Sequence, residues 1–135
     1  MDKRLFTLLK GMLAAIKQLR VDYIVEEKVI QSTANVTEHY RKWNSGFCEY
    51  WHSRRYTSVA ASEHYLNFYW QIGEITLPKN LFVAVDTAHT SGKWGTGYSM
   101  LCTRDCGTDS VSCTMMSNQN GGAANVRYYV TGKWK

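Results

Sequence analysis

The spacing of apolar residues changes period once, near Asp22, and that change divides the chain into two parts. Before it, Leu5, Leu9, Met12, Ile16, Leu19 and Tyr23 recur at intervals of 4-3-4-3-4, the a/d rhythm of a coiled coil. Phe6, Leu8, Leu13 and Ala15 flank that seam and widen it, which suits three helices better than two. About two and a half heptads form a helix that is marginal alone in water. Residues 1–21 are therefore expected to be a helix that needs a partner to persist, and partner chains would meet it through Leu5, Leu9, Met12, Ile16 and Leu19 as the oligomerisation residues. A surface of its own domain is the alternative partner. Lys10 interrupts the apolar run, and Lys17, Gln18 and Arg20 stand where a signal peptide would be cleaved. A membrane span would need roughly 20 uncharged apolar residues, so no membrane insertion is expected.

From Asp22 to Lys135 the period is two. Leu66, Phe68, Trp70 and Ile72 alternate with Tyr65, Asn67, Tyr69 and Gln71; Leu81, Val83 and Val85 alternate with Phe82, Ala84 and Asp86; Val126, Tyr128 and Val130 alternate with Arg127, Tyr129 and Thr131. Each series predicts a half-buried antiparallel strand. Turn clusters at Leu77–Asn80, Thr90–Lys93, Asp105–Asp109 and Ser117–Ala123 punctuate them. The expected fold is mainly β: an antiparallel β-sandwich over residues 22–135, preceded by a short α-helix.

The densest stretch is Tyr40-Arg41-Lys42-Trp43-Asn44-Ser45-Gly46, continuing through Phe47-Cys48-Glu49-Tyr50-Trp51-His52. Physically it is a β-hairpin, with aromatic strands on either side of an Asn-Ser-Gly turn. As a motif it resembles the YRKWNSG block, followed by a Glu and a Trp, of carboxy-terminal head domains in bacteriophage and prophage tail fibres of Gram-positive hosts. Asp22-Tyr23-Ile24-Val25-Glu26, Thr76-Leu77-Pro78 and Tyr128-Tyr129-Val130-Thr131-Gly132-Lys133-Trp134-Lys135 extend the resemblance over most of residues 22–135. Lys28–Thr37 departs from the short Gly-Thr-Ser-Gly-like link usual there, so loop details do not carry over. The resemblance implies a virion protein made in the bacterial cytoplasm, a homotrimer beside other tail proteins with residues 1–21 as a trimeric coiled-coil stalk, that adheres to a host cell-surface glycan such as wall polysaccharide or teichoic acid. A purely structural trimerising end-cap and a wall-glycan depolymerase are the alternatives.

Charge argues against nucleic acid. The net charge of +5 is concentrated in residues 1–20, which hold five cations against Asp2 alone, while the other 115 residues hold 11 basic and 10 acidic side chains. A phosphate-tracking groove has no footprint in so balanced a head. Cys48, Cys102, Cys106 and Cys113 match no zinc spacing, so neither metal nor cofactor is expected. A Gly107-Thr108 turn would set Cys102 opposite Cys113, as a disulfide or as two small buried thiols; a reducing cytoplasm favours thiols. No Gly-x-Ser-x-Gly elbow or Cys-His context occurs, and the 11 acids and four scattered histidines suggest no constellation, so no catalytic residues are assigned.

Recognition is sought in loops. Trp94 and Tyr98 stand in the Gly/Ser/Thr segment from His89 to Tyr98, where no core alternation demands an indole. An exposed aromatic there would stack on sugar rings, with Asp105, Asp109, Asn118, Gln119 and Asn120 bonding hydroxyls from neighbouring turns. The alternative is that Trp94 folds back to cap the sandwich and the polar residues only form turns.

Overall fold

The computed structural model describes residues 2–18 and 22–135, with the backbone alone at 17 and 18. Helix α1 (Lys3–Gln18) begins at Asp2, whose side chain accepts the Arg4 N–H as an N-cap. Leu19, the last expected seam residue, lies outside the described residues. Nine strands follow: β1 (Ile24–Ser32), β2 (Val36–Trp43), β3 (Phe47–Tyr56), β4 (Glu63–Tyr65), β5 (Phe68–Thr76), β6 (Ala84–Trp94), β7 (Ser99–Cys106), β8 (Ser110–Ser117) and β9 (Ala124–Lys133). They form two antiparallel sheets, ordered β1-β2-β3-β9-β6 and β4-β5-β8-β7. The mainly β, sandwich-like expectation holds, and the Tyr40–His52 block is the β2–β3 hairpin, with Tyr40 facing Tyr50.

The core lies between the sheets. Strand β8 turns Val111, Cys113, Met115 and Ser117 inward, β9 turns Val126, Tyr128 and Val130 inward, and β3 adds Cys48, Tyr50 and His52. The β6 edge of one sheet is tied to the β7 edge of the other by the Thr90 and Thr103 hydroxyls, 3.2 Å apart, and by Thr103 donating to the Ala88 carbonyl. Toward β2 the core is polar. Tyr50 donates to Glu38 at 2.7 Å and meets His52 Nδ1 at 3.1 Å, while Tyr40 donates to Glu26. The Glu26 bond raises the Tyr40 hydroxyl to about 12, and burial holds the His52 imidazole below its ordinary value despite the nearby Glu38 carboxylate.

The structure decides the facing of β5 and corrects two expectations. In β5 the inward set is Tyr69, Gln71, Gly73 and Ile75, so Leu66, Phe68 and Ile72 are exposed and Trp70 is half-buried on the outer face. Gly73 explains the phase: a Cβ there would lie 3.0 Å from the Tyr128 hydroxyl and 3.1 Å from Cys113 Sγ, groups that fill the core at that point. Leu81 and Val83 belong to the connection before β6, where Leu81 is buried and Val83 exposed. The β7–β8 turn is Thr108-Asp109, closed by Gly107 N–H donating to the Ser110 carbonyl, and a bulge lies between Thr103 and Asp105. Cys102 consequently faces Thr114 and is exposed, whereas Cys113 faces Thr103 and is buried, so the two are not a facing pair. All four thiols are free.

Candidate functional site

The strand ladders sort the connections into two ends. The proximal end gathers Asp22, where the chain enters the head, the β2–β3 turn, the 77–83 connection, the β7–β8 turn and the C-terminus. Ser45 N–H and Oγ donate to Asp22, Trp134 N–H to the Gly46 carbonyl, Val83 N–H to the Lys133 carbonyl, and Leu77 N–H to the Asp109 carbonyl. The distal end gathers residues 33–35, 57–62, 95–98 and 118–123. There Val59 N–H donates to the Gly122 carbonyl, Gly95 N–H to that of Ala123, and Asn118 N–H to that of Tyr98.

The expected recognition residues do not form one site. Tyr98, Asn118, Gln119 and Asn120 come together at the distal end. Asp105 and Asp109 lie at the proximal end, a β7 length away, about 23 Å for seven residue steps. The hairpin β7–β8 joins its turns through strands, so neighbours in sequence become opposite ends in space. His89 sits mid-strand on the outer face of the five-stranded sheet, facing Tyr129.

Trp94 is no exposed platform. Its side chain is 0% exposed, and its indole Nε1–H donates to the Val59 carbonyl at 3.2 Å. An indole at the end of β6 buries a large apolar surface and satisfies its single donor on the 57–62 segment, closing the distal end of the core. Asn118 and Asn120 are loop braces, accepting the Tyr98 and Ala61 N–H groups, and Gln119 accepts from the Thr96 hydroxyl.

The most exposed aromatic side chain at this end is Tyr98, at 84%, with Tyr65 and Phe68 also exposed beside the β4–β5 turn. Tyr98 borders a small hollow of about 130 Å³ with Phe68, Met100 and Met116. Phe68 is not among the recognition residues expected from the sequence. The signal available was Gly73, since a glycine within an alternating strand marks a close approach on the face it occupies.

The outer face of the five-stranded sheet carries a second group of aromatic residues. His39, Trp51, Tyr129 and His89 share one register row across β2, β3, β9 and β6. His39 stacks on Trp51 with centroids 4.5 Å apart, and Tyr129 lies 5.4 Å from Trp51 on the β9 side. Glu49 accepts the Trp43 Nε1–H at 2.9 Å and the Tyr129 hydroxyl at 2.8 Å. Burial, then that bond, raises the Tyr129 hydroxyl to about 12. Among the described residues no group of three or more His, Cys, Asp or Glu is placed to hold a metal ion, and no helix is long and apolar enough to cross a membrane. Comparison with known protein families, curated proteins and solved structures finds no match to this chain.

Proposed function

We propose that the chain is the tip of a bacteriophage or prophage tail fibre: a homotrimer whose helix continues the shaft and whose head adheres, without catalysis, to a bacterial wall glycan. The observation that carries this reading is the state of α1. Leu5, Phe6, Leu8, Leu9, Met12, Leu13 and Ile16 are all 47–63% exposed in the single chain. A stripe of that width on a surface helix would ordinarily lie against its own core. Left uncovered, it calls for copies of itself, and its width suits three.

The polarity of the head supports the same reading. The chain enters at the proximal end, and the Tyr98 and Asn118–Asn120 loops stand at the far end, where the tip of a shaft would meet a surface. The assay is light scattering behind size exclusion, with a mass about three times 15.5 kDa expected. Ile16→Asp, which places a charge in the buried seam, should shift the mass toward one chain. A monomeric wild type at micromolar concentration, or failure of the wild type to bind isolated Gram-positive wall sacculi, would refute the reading.

A further inference from the structure

Distal to the aromatic row, the outer face of the five-stranded sheet changes character. The next two register rows are Thr37, Ser53, Arg127 and Ser91, then Arg55, Asn125 and Lys93, and neither contains a carboxylate. Both ion pairs among the described residues, Arg41–Glu27 and Lys42–Glu26, lie on the proximal side of that row. Arg55 faces Asn125, and Arg127 is two residues further along β9. Such diagonal neighbours stand about 7–8 Å apart at Cα, a gap that long side chains close. A hollow of about 280 Å³ opens here, bordered by Asn35, Ser53, Arg54, Arg55, Asn125 and Arg127. At about 30 Å³ per water its volume equals roughly nine waters, room for a phosphodiester and part of an adjoining polyol or sugar.

We propose that this hollow is an anion subsite for a phosphodiester-linked polyol or glycan polymer, with Arg55 and Arg127 on one phosphate and Asn35, Ser53 and Asn125 on neighbouring hydroxyls. Arg55 and Arg127 are exposed cations on adjoining strands with no carboxylate in either row, so an anion held between them would meet two positive charges. Guanidinium forks match phosphate oxygens. A carboxylate is satisfied by one fork in one plane, whereas a tetrahedral phosphodiester presents oxygens to two. Amide and hydroxyl side chains around the pair fit a hydroxyl-rich chain.

Nucleic acid is the less suitable polyanion. A single strand needs free aromatic faces on which bases stack, and Trp51, the nearest indole, is flanked by His39 and Tyr129 with the Arg41 guanidinium 5.4 Å from its ring. Placing the polymer on a bacterial wall rests on the adhesion reading above; the chemistry of the hollow does not.

The test is calorimetric titration of the full chain with synthetic poly(glycerol phosphate) at two salt concentrations. The wild type should bind, more weakly at the higher salt. Arg55→Gln with Arg127→Gln should weaken binding on the order of tenfold or more and flatten the salt dependence. The Arg55→Lys, Arg127→Lys pair should fall between, since it keeps charge and loses the forks. Lys133→Gln, at the proximal end, should change nothing. No wild-type binding, equal binding by the double Gln variant, or equally tight binding of a DNA oligonucleotide or a carboxylate polymer such as alginate would each overturn the proposal. Wall sacculi separate it from the adhesion reading. If the double Gln variant matches the wild type both on the synthetic polymer and on sacculi, the subsite is wrong and adhesion stands; if the arginines hold the synthetic polymer but the wild type ignores sacculi, the subsite stands and adhesion falls.

Discussion

Trp94→Ala is the substitution whose consequence the structure defines most sharply. The indole is the largest fully buried side chain among the described residues. Truncating a buried Trp to Ala costs about 3–5 kcal/mol in lost transfer free energy and cavity formation. The Val59 carbonyl loses its indole donor as well, which adds about 1 kcal/mol or more if water cannot replace it. A total of roughly 4–6 kcal/mol compares with a whole-domain stability of about 5–15 kcal/mol. At the size of this chain, each kcal/mol moves the melting temperature by roughly 3–5 °C, so a fall of about 12 °C or more is expected. Trp94→Phe keeps most of the volume and loses the donor, and should recover more than half of the loss. Tyr98→Ala removes a side chain that is 84% exposed and should stay within about 0.5 kcal/mol of wild type. Thermal unfolding followed by circular dichroism reads all three. A Trp94→Ala protein melting within 3 °C of wild type would show that the indole does not close the core, and the loop would again qualify as an aromatic platform.

Thiol labelling should be staged: Cys102 reacts with a maleimide in the native protein, while Cys48 and Cys113 wait for unfolding, since burial raises the Cys48 thiol to about 12; simultaneous labelling would contradict the β7–β8 register. His52 is held below its ordinary value by burial, so the unfolded chain takes up a proton first as pH falls. Stability from this group is fully present above about 6.5 and declines below it, by at most about 1.4 kcal/mol per pH unit, until the lowered folded value is reached; His52→Gln should remove that component from melting curves between pH 8 and 5, and an unchanged profile would refute it. Gly132→Ala should destabilise strongly, because a Cβ would lie 2.2 Å from the Ala84 carbonyl oxygen; a variant with native melting temperature would show that β6 does not pass so close to β9.

The elements that periodicity revealed are those with one unambiguous apolar face. In β9, Val126, Tyr128 and Val130 alternate with polar or half-buried neighbours, and they face inward as the pattern predicts. The hairpin around Asn44-Ser45-Gly46 was equally legible, because turn chemistry and strand composition agree there. Strand β5 was ambiguous because both its faces carry large apolar residues, and only the space demanded by Tyr128 and Cys113 at Gly73 decides between them. Trp94 misled for a related reason. Its core role depends on a partner 35 residues away in sequence, the Val59 carbonyl, which no local pattern announces. The arginine hollow was invisible for the same cause: Arg55 and Arg127 are adjacent only once β3 pairs with β9.

Strand β1 is the sole covalent route from α1 into the head, and it begins at the proximal end and runs distally along β2 with seven paired positions. If the far end is held and the helix is pulled away, the load runs parallel to β1. Its backbone hydrogen bonds are then strained together, in shear, instead of parting one after another as in a peeled strand. The Asp22–Ser45 bonds and the Glu26–Lys42 and Glu27–Arg41 pairs brace the same seam from its side chains. Single-molecule extension through the amino terminus would therefore meet its highest force at the first event, the detachment of β1, with the remaining strands yielding more easily once that edge is gone.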